Sequence, residues 1–381
     1  ALLVFSVSAF VFAPYIVKFL VPGFLSSDLE LTVKVTRLVL VSPIFLGLSS
    51  VLQSVQNAFD RFFYYSLSPI FYNLGIIFGI VFFAESYGVW GVAIGVIFGA
   101  FLHFLIQLPG VAGLNFKYRF YIAWKDSRLL EMVRLVIPRI VGMSIMQVNL
   151  IFDTLVGSLL AGGSITILNY AVNLNSLPMG LIGVSFAVAS FATLSTLAIR
   201  SREKFSDELS RTITSVCYFV IPAGVGLFVL RFPIVDLILG YGEFTDEDVI
   251  LTGNTLAFLL IGLIGQSLIP IFARAFYAFK NTMIPVLISV VCMALNIGLN
   301  FYFAFTAGLG IYGIALATGL TSLLNMFLLA VFLKLKFLPG MKCIAWKRVG
   351  AIIFASAVMG VAVYFVDLMI VGWSRISLTN Q

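Results

Sequence analysis

This sequence predicts an all-α polytopic membrane protein with about eleven transmembrane helices, and three observations predict it. Of its 381 residues, 61% are hydrophobic and only 10% are charged, against about 45–50% and about 25% in a soluble globular chain. Eleven runs come near the ~20 apolar residues that a membrane helix needs. The basic residues collect in loops that share one side if those runs alternate across a bilayer. A mean hydropathy of +1.11 excludes a soluble enzyme, a disordered chain and a nucleic-acid-binding domain. The net charge of +7 would suggest nucleic acid in a soluble chain; here it reads as basic cytoplasmic loops.

The runs lie near 2–21, 38–58, 66–84, 88–110, 133–161, 164–198, 213–231, 249–273, 283–305, 310–333 and 348–370. The first is no signal peptide, because no basic flank precedes it and Lys18 and Pro22 stand where a cleavage site would be. Loops at 59–65, 111–132, 199–212, 274–282 and 334–348, with the residues just beyond them, hold 18 of the 23 lysines and arginines. The opposite side receives the acidic stretch from Asp236 through Glu243 to Asp248. The positive-inside rule then places the N-terminus inside and the C-terminus outside. The chain starts at Ala1 and has an odd number of spans, which predicts a fragment or a processed chain.

An internal repeat is legible. Asn73-Leu-Gly-Ile-Ile-Phe-Gly and Tyr87-Gly-Val-Trp-Gly-Val-Ala-Ile-Gly return as Asn296-Ile-Gly-Leu-Asn and Leu309-Gly-Ile-Tyr-Gly-Ile-Ala-Leu-Ala, at offsets of 223 and 222. Both copies enter from the same side, so the repeat is parallel, about an axis along the membrane normal. A six-span unit makes the second copy complete at 133–333 and leaves the first with four spans.

The run from Leu168 to Ala187, Asn-Tyr-Ala-Val-Asn-Leu-Asn-Ser-Leu-Pro-Met-Gly after its first leucine, resembles the eighth-helix signature of the MurJ (MviN) lipid II flippases, members of the MOP superfamily. Ala275-Phe-Tyr-Ala-Phe-Lys-Asn-Thr-Met-Ile-Pro, Tyr241-Gly-Glu-Phe-Thr, Gln147-Val-Asn-Leu-Ile-Phe-Asp-Thr and Gly162-Gly-Ser are similar to that family too. The likeness runs in order from residue 1 to about 370. It implies a MATE-like plan of fourteen helices, with two six-helix lobes and two extra helices forming a lipid-tail groove. This chain resembles helices three to thirteen of that plan. Residues 1–118 would be a partial N-terminal lobe, 128–336 the C-terminal lobe and 347–381 helix 13. The implied activity moves undecaprenyl-pyrophosphate-linked peptidoglycan precursor from the inner to the outer leaflet of the bacterial cytoplasmic membrane by alternating access. Lipid II and membrane lipids are the implied partners, with peptidoglycan-synthesis proteins as further candidates.

Several residues are candidates for this work. A pyrophosphate crossing hydrocarbon needs a wet, cation-lined cavity, and arginine suits it through bidentate pairing. The family's cavity arginines lie mostly on its first two helices, and its eighth-helix arginine falls on Asn173, with Val172 where an acid is usual. Asn173 can hydrogen-bond a sugar or phosphate, or serve as a packing amide. Arg139, after Pro138, faces a cavity or snorkels to the headgroups. Arg274 and Lys280 flank a short inner loop, where they meet an entering pyrophosphate or act as topology determinants. Asp153 stands about 20 residues into an apolar run, as a cation or proton site or part of a buried network. Asn296 and Asn300 share a helix face, and Thr318 lies in the next span. One carboxylate with amide and hydroxyl oxygens suits a hard cation, and the family's matching positions imply Na⁺ as the coupling ion.

Other features read as architecture. Gly91, Gly95 and Gly99 make a smooth packing face. The 164–198 run would be roughly 50 Å long if straight, so a bend is expected at Pro178 and Gly180, as a gate hinge. His103 reads as an interhelical hydrogen-bonding residue. Cys217, Cys292 and Cys343 show no metal or disulfide spacing. No phosphate loop, zinc motif or nucleophile elbow is present, so no enzyme and no cofactor are expected. Another MOP-superfamily transporter, such as an oligosaccharide-lipid flippase or a drug/cation antiporter, and a non-transporting membrane scaffold are the alternatives.

Overall fold

The structure is a computed structural model that describes residues 2–112, 114, 144, 147–340 and 345–378, with side chains through residue 369. Among the described residues, nine helices are long and apolar enough to cross a bilayer, and a pair bent by 43° supplies a tenth crossing. These coincide with ten of the eleven apolar runs. The other run, 133–161, lies partly outside the described residues, and 147–158 of it is helical. By contacts, the chain divides into two units, Ala1–Leu135 and Val136–Gln381. The expected lobe boundary near 118–128 lies outside the described residues.

The first unit contains α1 (Leu2–Leu20), α2 (Ser26–Val39), α3 (Ser42–Ala58), α4 (Phe63–Gly79) and α5 (Val89–Leu105). Helices α2 and α3 are nearly continuous and begin about twelve residues earlier than the expected 38–58 run. The reason is polarity: Ser26–Val39 carries Asp28, Glu30, Lys34 and Arg37, with Lys34 Nζ paired to Glu30 one turn away at 2.6 Å. Helix α4 packs along α5 through the expected glycine face. A Cβ on Gly95 would lie only 2.8 Å from Gly79 Cα, so the two backbones approach as only small residues allow.

The second unit contains α6 (147–158), α7 (Ser164–Pro178), α8 (Ser185–Arg200), α9 (Arg202–Val229), α10 (Arg231–Leu239), α11 (Asp246–Leu260), α12 (Leu263–Ala278), α13 (Met283–Phe301), α14 (Ile311–Phe337) and α15 (Trp346–Leu378). Helix α9 starts eleven residues before the expected 213–231 run. Its polar beginning hides an inward stripe of Phe205, Leu209 and Ile213, all buried, which a hydropathy average dilutes and a helical period preserves. The stripe joins Phe272, Phe276, Leu329 and Leu333 in the unit's largest apolar core. Ser201 caps α9, and a reciprocal Thr245–Asp248 capping box starts α11. Cys217 and Cys292 are buried free thiols.

The repeat is visible in backbone detail. Helices α4 and α13 both pass into a π-helical turn, at Ile80–Ala84 and Tyr302–Thr306, an offset of 222. Gly88 and Gly310 immediately precede α5 and α14, with φ/ψ of 55°/−133° and 55°/−129°, a conformation reserved for glycine. Asp60 and Lys280 close α3 and α12 at φ 55° and 56°. In each, the next N–H bonds back five residues, Arg61 to Gln56 at 2.9 Å and Asn281 to Phe276 at 3.0 Å, which is the Schellman ending.

Candidate functional site

Asp153, on α6, meets α13 and α14 in a buried polar chain inside the second unit. Asn300 Nδ2 donates to Asp153 Oδ1 at 2.6 Å and to Asn296 Oδ1 at 3.2 Å. Asn296 Nδ2 donates to Thr321 Oγ1 at 3.1 Å and to Thr318 Oγ1 at 3.5 Å. Asn296 and Asn300 are 2% and 0% exposed, so this cluster is buried inside the second unit. Their spacing of four residues puts both amides on one face of α13. The four residues read from sequence as a cation set are thus brought together. Thr321, one turn past Thr318 and accepting the shorter bond, belongs with them. Its i+3 spacing from Thr318 was the available signal.

The donors present bear on what the cluster can hold. Among the described residues Asp153 makes no ion pair, so one negative charge stands among neutral groups. Asn300 Oδ1 is buried with no hydrogen-bond partner, and so is Oδ1 of Asn149, one turn before Asp153 on α6. Orphaned buried carbonyl oxygens are costly. A half-turn of the Asn300 amide would set its oxygen against the carboxylate, an arrangement that needs a cation between them. One carboxylate with several neutral oxygens is a donor set of the hard-cation type. No group of three His, Cys, Asp or Glu residues suited to a softer or more highly charged metal occurs among the described residues.

The substrate-binding candidates are scattered along the second unit. Asn173 is exposed on α7. Arg274 turns back on its own helix, Nη1 to Pro270 O at 3.3 Å. Lys280 is exposed at the α12 terminus. No hydrogen bond or ion pair joins these three among the described residues. Arg139 lies outside the described residues. Pro178 ends α7, and a π-helical turn, Met179–Val184, follows it before α8. The long run therefore carries a local widening where the bend is expected. Gly180, in that turn, has open space around its Cα. Nearby, Asn175 Nδ2 donates to Gln266 Oε1 at 2.7 Å, tying α7 to α12.

The first unit holds its own polar cluster. Ser49 Oγ lies 2.7 Å from His103 Nδ1 and accepts from Gln107 Nε2, while Gln56 Nε2 donates to Gln107 Oε1 at 3.2 Å. His103 is the interhelical residue expected of it.

The pattern of the family described as "Lipid II flippase MurJ" matches residues 1–380. A probable lipid II flippase MurJ of Buchnera aphidicola subsp. Acyrthosiphon pisum is 30% identical over 379 residues, 97% of this chain and 73% of its own length. The lipid II flippase MurJ of Burkholderia cenocepacia is 27% identical over 373 residues, 94% of this chain and 72% of its own. Among solved structures, a lipid II flippase MurJ in an inward closed conformation is similar with a TM-score of 0.83 at 26% identity, over 96% of this chain and 75% of that one. An inward-facing multidrug-resistance MATE-family transporter of the MOP superfamily is similar in fold, with a TM-score of 0.76 at 15% identity over 92% and 79%.

Proposed function

Because the chain belongs to the lipid II flippase MurJ family, we propose that it moves lipid II from the inner to the outer leaflet of a bacterial cytoplasmic membrane by alternating access, coupled to Na⁺. The family match along 1–380 carries this reading. It is a transport function with no covalent step, so the residues have only to bind, shield and release. Asn173, Arg274 and Lys280, with Arg139, supply hydrogen bonds and positive charge for the polar head. The Pro178–Gly180 turn supplies the hinge. Na⁺ would be held by Asp153, Asn296, Asn300 and Thr318, and its gradient would supply the driving force. The orphaned Asn300 oxygen beside a lone carboxylate supports that assignment.

A change in the balance between two states requires a ligand that binds one of them better. The Asp153 cluster spans three helices, so a cation there favours the arrangement that keeps α6, α13 and α14 together. Asn173 in place of the family arginine favours a second reading, a MOP-superfamily transporter of another substrate.

The test is rescue of growth and lipid II export in bacteria depleted of their own flippase. The wild-type chain, with any further native sequence of its gene, is expected to rescue, with an export rate that rises with external Na⁺. Asp153→Asn is expected to abolish that Na⁺ dependence. Confirmed membrane expression without rescue would refute the lipid II assignment; rescue with an unchanged Na⁺ response in Asp153→Asn would refute the ion site.

A further inference from the structure

The Asp153 cluster and the π-helical turn after α7 lie on different helices, and one short stretch touches both. It is the first part of α12, with the glycine before it: residues 262–269. Each end is set off from its surroundings. The 43° bend between α11 and α12 precedes it. Pro270 follows it and supplies no N–H to the Gln266 carbonyl one turn back. Long helices yield at such places.

The stretch closes tightly on α14. A Cβ on Gly262 would lie 2.5 Å from Gly319 Cα, and one on Gly265 would lie 2.7 Å from Ser322 O. Gly319 and Ser322 directly follow Thr318 and Thr321, the two hydroxyls bonded to Asn296. Ser322 Oγ also donates to Thr318 O at 2.7 Å. The stretch meets the turn after α7 as closely. A Cβ on Gly183, in the Met179–Val184 turn, would lie 2.8 Å from Ser267 Cα. Next to Ser267, Gln266 Oε1 accepts from Asn175, which is 4% exposed and stands three residues before Pro178. Backbones packed this closely transmit a displacement rather than absorb it. Asn175 Oδ1 and Ser267 Oγ are buried without a partner. The contact thus leaves hydrogen-bonding capacity unused, as an element with a second arrangement does.

We propose that residues 262–269 transmit the state of the Asp153 cluster to the turn after α7, with the Asn175–Gln266 hydrogen bond as the latch. This rests on the cation reading given above. An ion that displaces Thr318 and Thr321 displaces Gly319 and Ser322 with them. The start of α12 follows α14, and the π-helical turn follows Ser267. Asn175 and Gln266 are positioning residues, since neither belongs to the cation cluster.

Two measurements on the full chain in lipid nanodiscs test this, with the native cysteines replaced. Equilibrium binding of radiolabelled Na⁺ reports the cluster. Spin labels on Ile199→Cys in α8 and Met283→Cys in α13, both exposed positions, report the turn. In the otherwise unaltered protein, exchanging K⁺ for saturating Na⁺ is expected to move the interlabel distance by about 2 Å or more, the scale of a helix shift. Asn175→Leu with Gln266→Leu removes both polar partners together, which costs little stability. The pair is expected to keep Na⁺ binding and lose the distance change, and Gln266→Met alone to do the same. A distance change that survives in these variants would overturn the proposal. So would loss of Na⁺ binding in a variant of unchanged melting temperature, since the pair would then support the cluster itself. In the unaltered protein, Na⁺ binding without a distance change overturns the link and leaves the ion site standing. Absence of Na⁺ binding refutes the ion site and the link with it.

Discussion

Asp60 and Lys280 hold left-handed backbone that most L-residues avoid, at a cost of roughly 1–2 kcal/mol. Both sit at the same step of the repeat, so the Schellman turn rather than the side chain dictates the conformation. Asp60→Gly keeps the Arg61–Gln56 bond and removes the steric cost. It is expected to stabilise the protein by about 1 kcal/mol, read as a raised melting temperature in detergent; an unchanged or lower value would count against the turn. The same scale explains Asp153. Its carboxylate, the two α13 amides and the two α14 hydroxyls form one connected chain. The sequence shows four of these polar residues in apolar runs but not the order in which they bond. The geometry adds Thr321, and adds Asn149 by its partnerless oxygen.

At the level of the elements, two helix contacts have measurable consequences. The α4–α5 pair closes through glycines, and a side chain at Gly95 would collide with the Gly79 backbone. Gly95→Val is expected to destabilise the first unit by about 1–3 kcal/mol, seen as lost yield and a lowered melting transition. An unaltered transition would mean that α4 and α5 do not pack this way. The turn after α7 is the opposite case. Gly180 has no neighbouring atom to meet a methyl group, and its backbone φ is negative, so Gly180→Ala is sterically free. It is expected to add about 0.5–1 kcal/mol of stability while slowing transport severalfold, because a stiffer turn resists opening. Equal transport with raised stability would remove the hinge role. The ends of α12 and α14 are fastened differently. Phe279 stacks on Phe337 at 4.6 Å, and Arg202 covers Phe279 and donates to Phe337 O.

For the whole molecule, the charge pattern makes a topological prediction. In a background lacking the native cysteines, a membrane-impermeant maleimide is expected to label Glu243→Cys in intact cells and Lys336→Cys only in inverted vesicles. The reverse pattern would invert the orientation. Both positions are exposed in the structure, so access depends on the side of the membrane alone. The two halves of the repeat extend this view: equal π-turns and equal glycine conformations 222 residues apart place α4–α5 and α13–α14 as copies of one hairpin design.

The sequence by itself determined the class, the number of crossings to within the described residues, the repeat and the family. These depend on composition, periodicity and local motifs, all of which survive averaging along the chain. It also singled out Asp153, Asn296, Asn300 and Thr318, because a polar group in hydrocarbon is costly enough to be conspicuous. Only the tertiary structure decided which helix ends extend beyond their apolar runs, as at α2 and α9, since an amphipathic stripe contributes little to a hydropathy average. It alone ordered the hydrogen bonds around Asn300 and exposed its orphaned oxygen. It alone joined Asn175 to Gln266, residues 91 positions apart. Proximity between distant segments is set by packing, which no local pattern encodes.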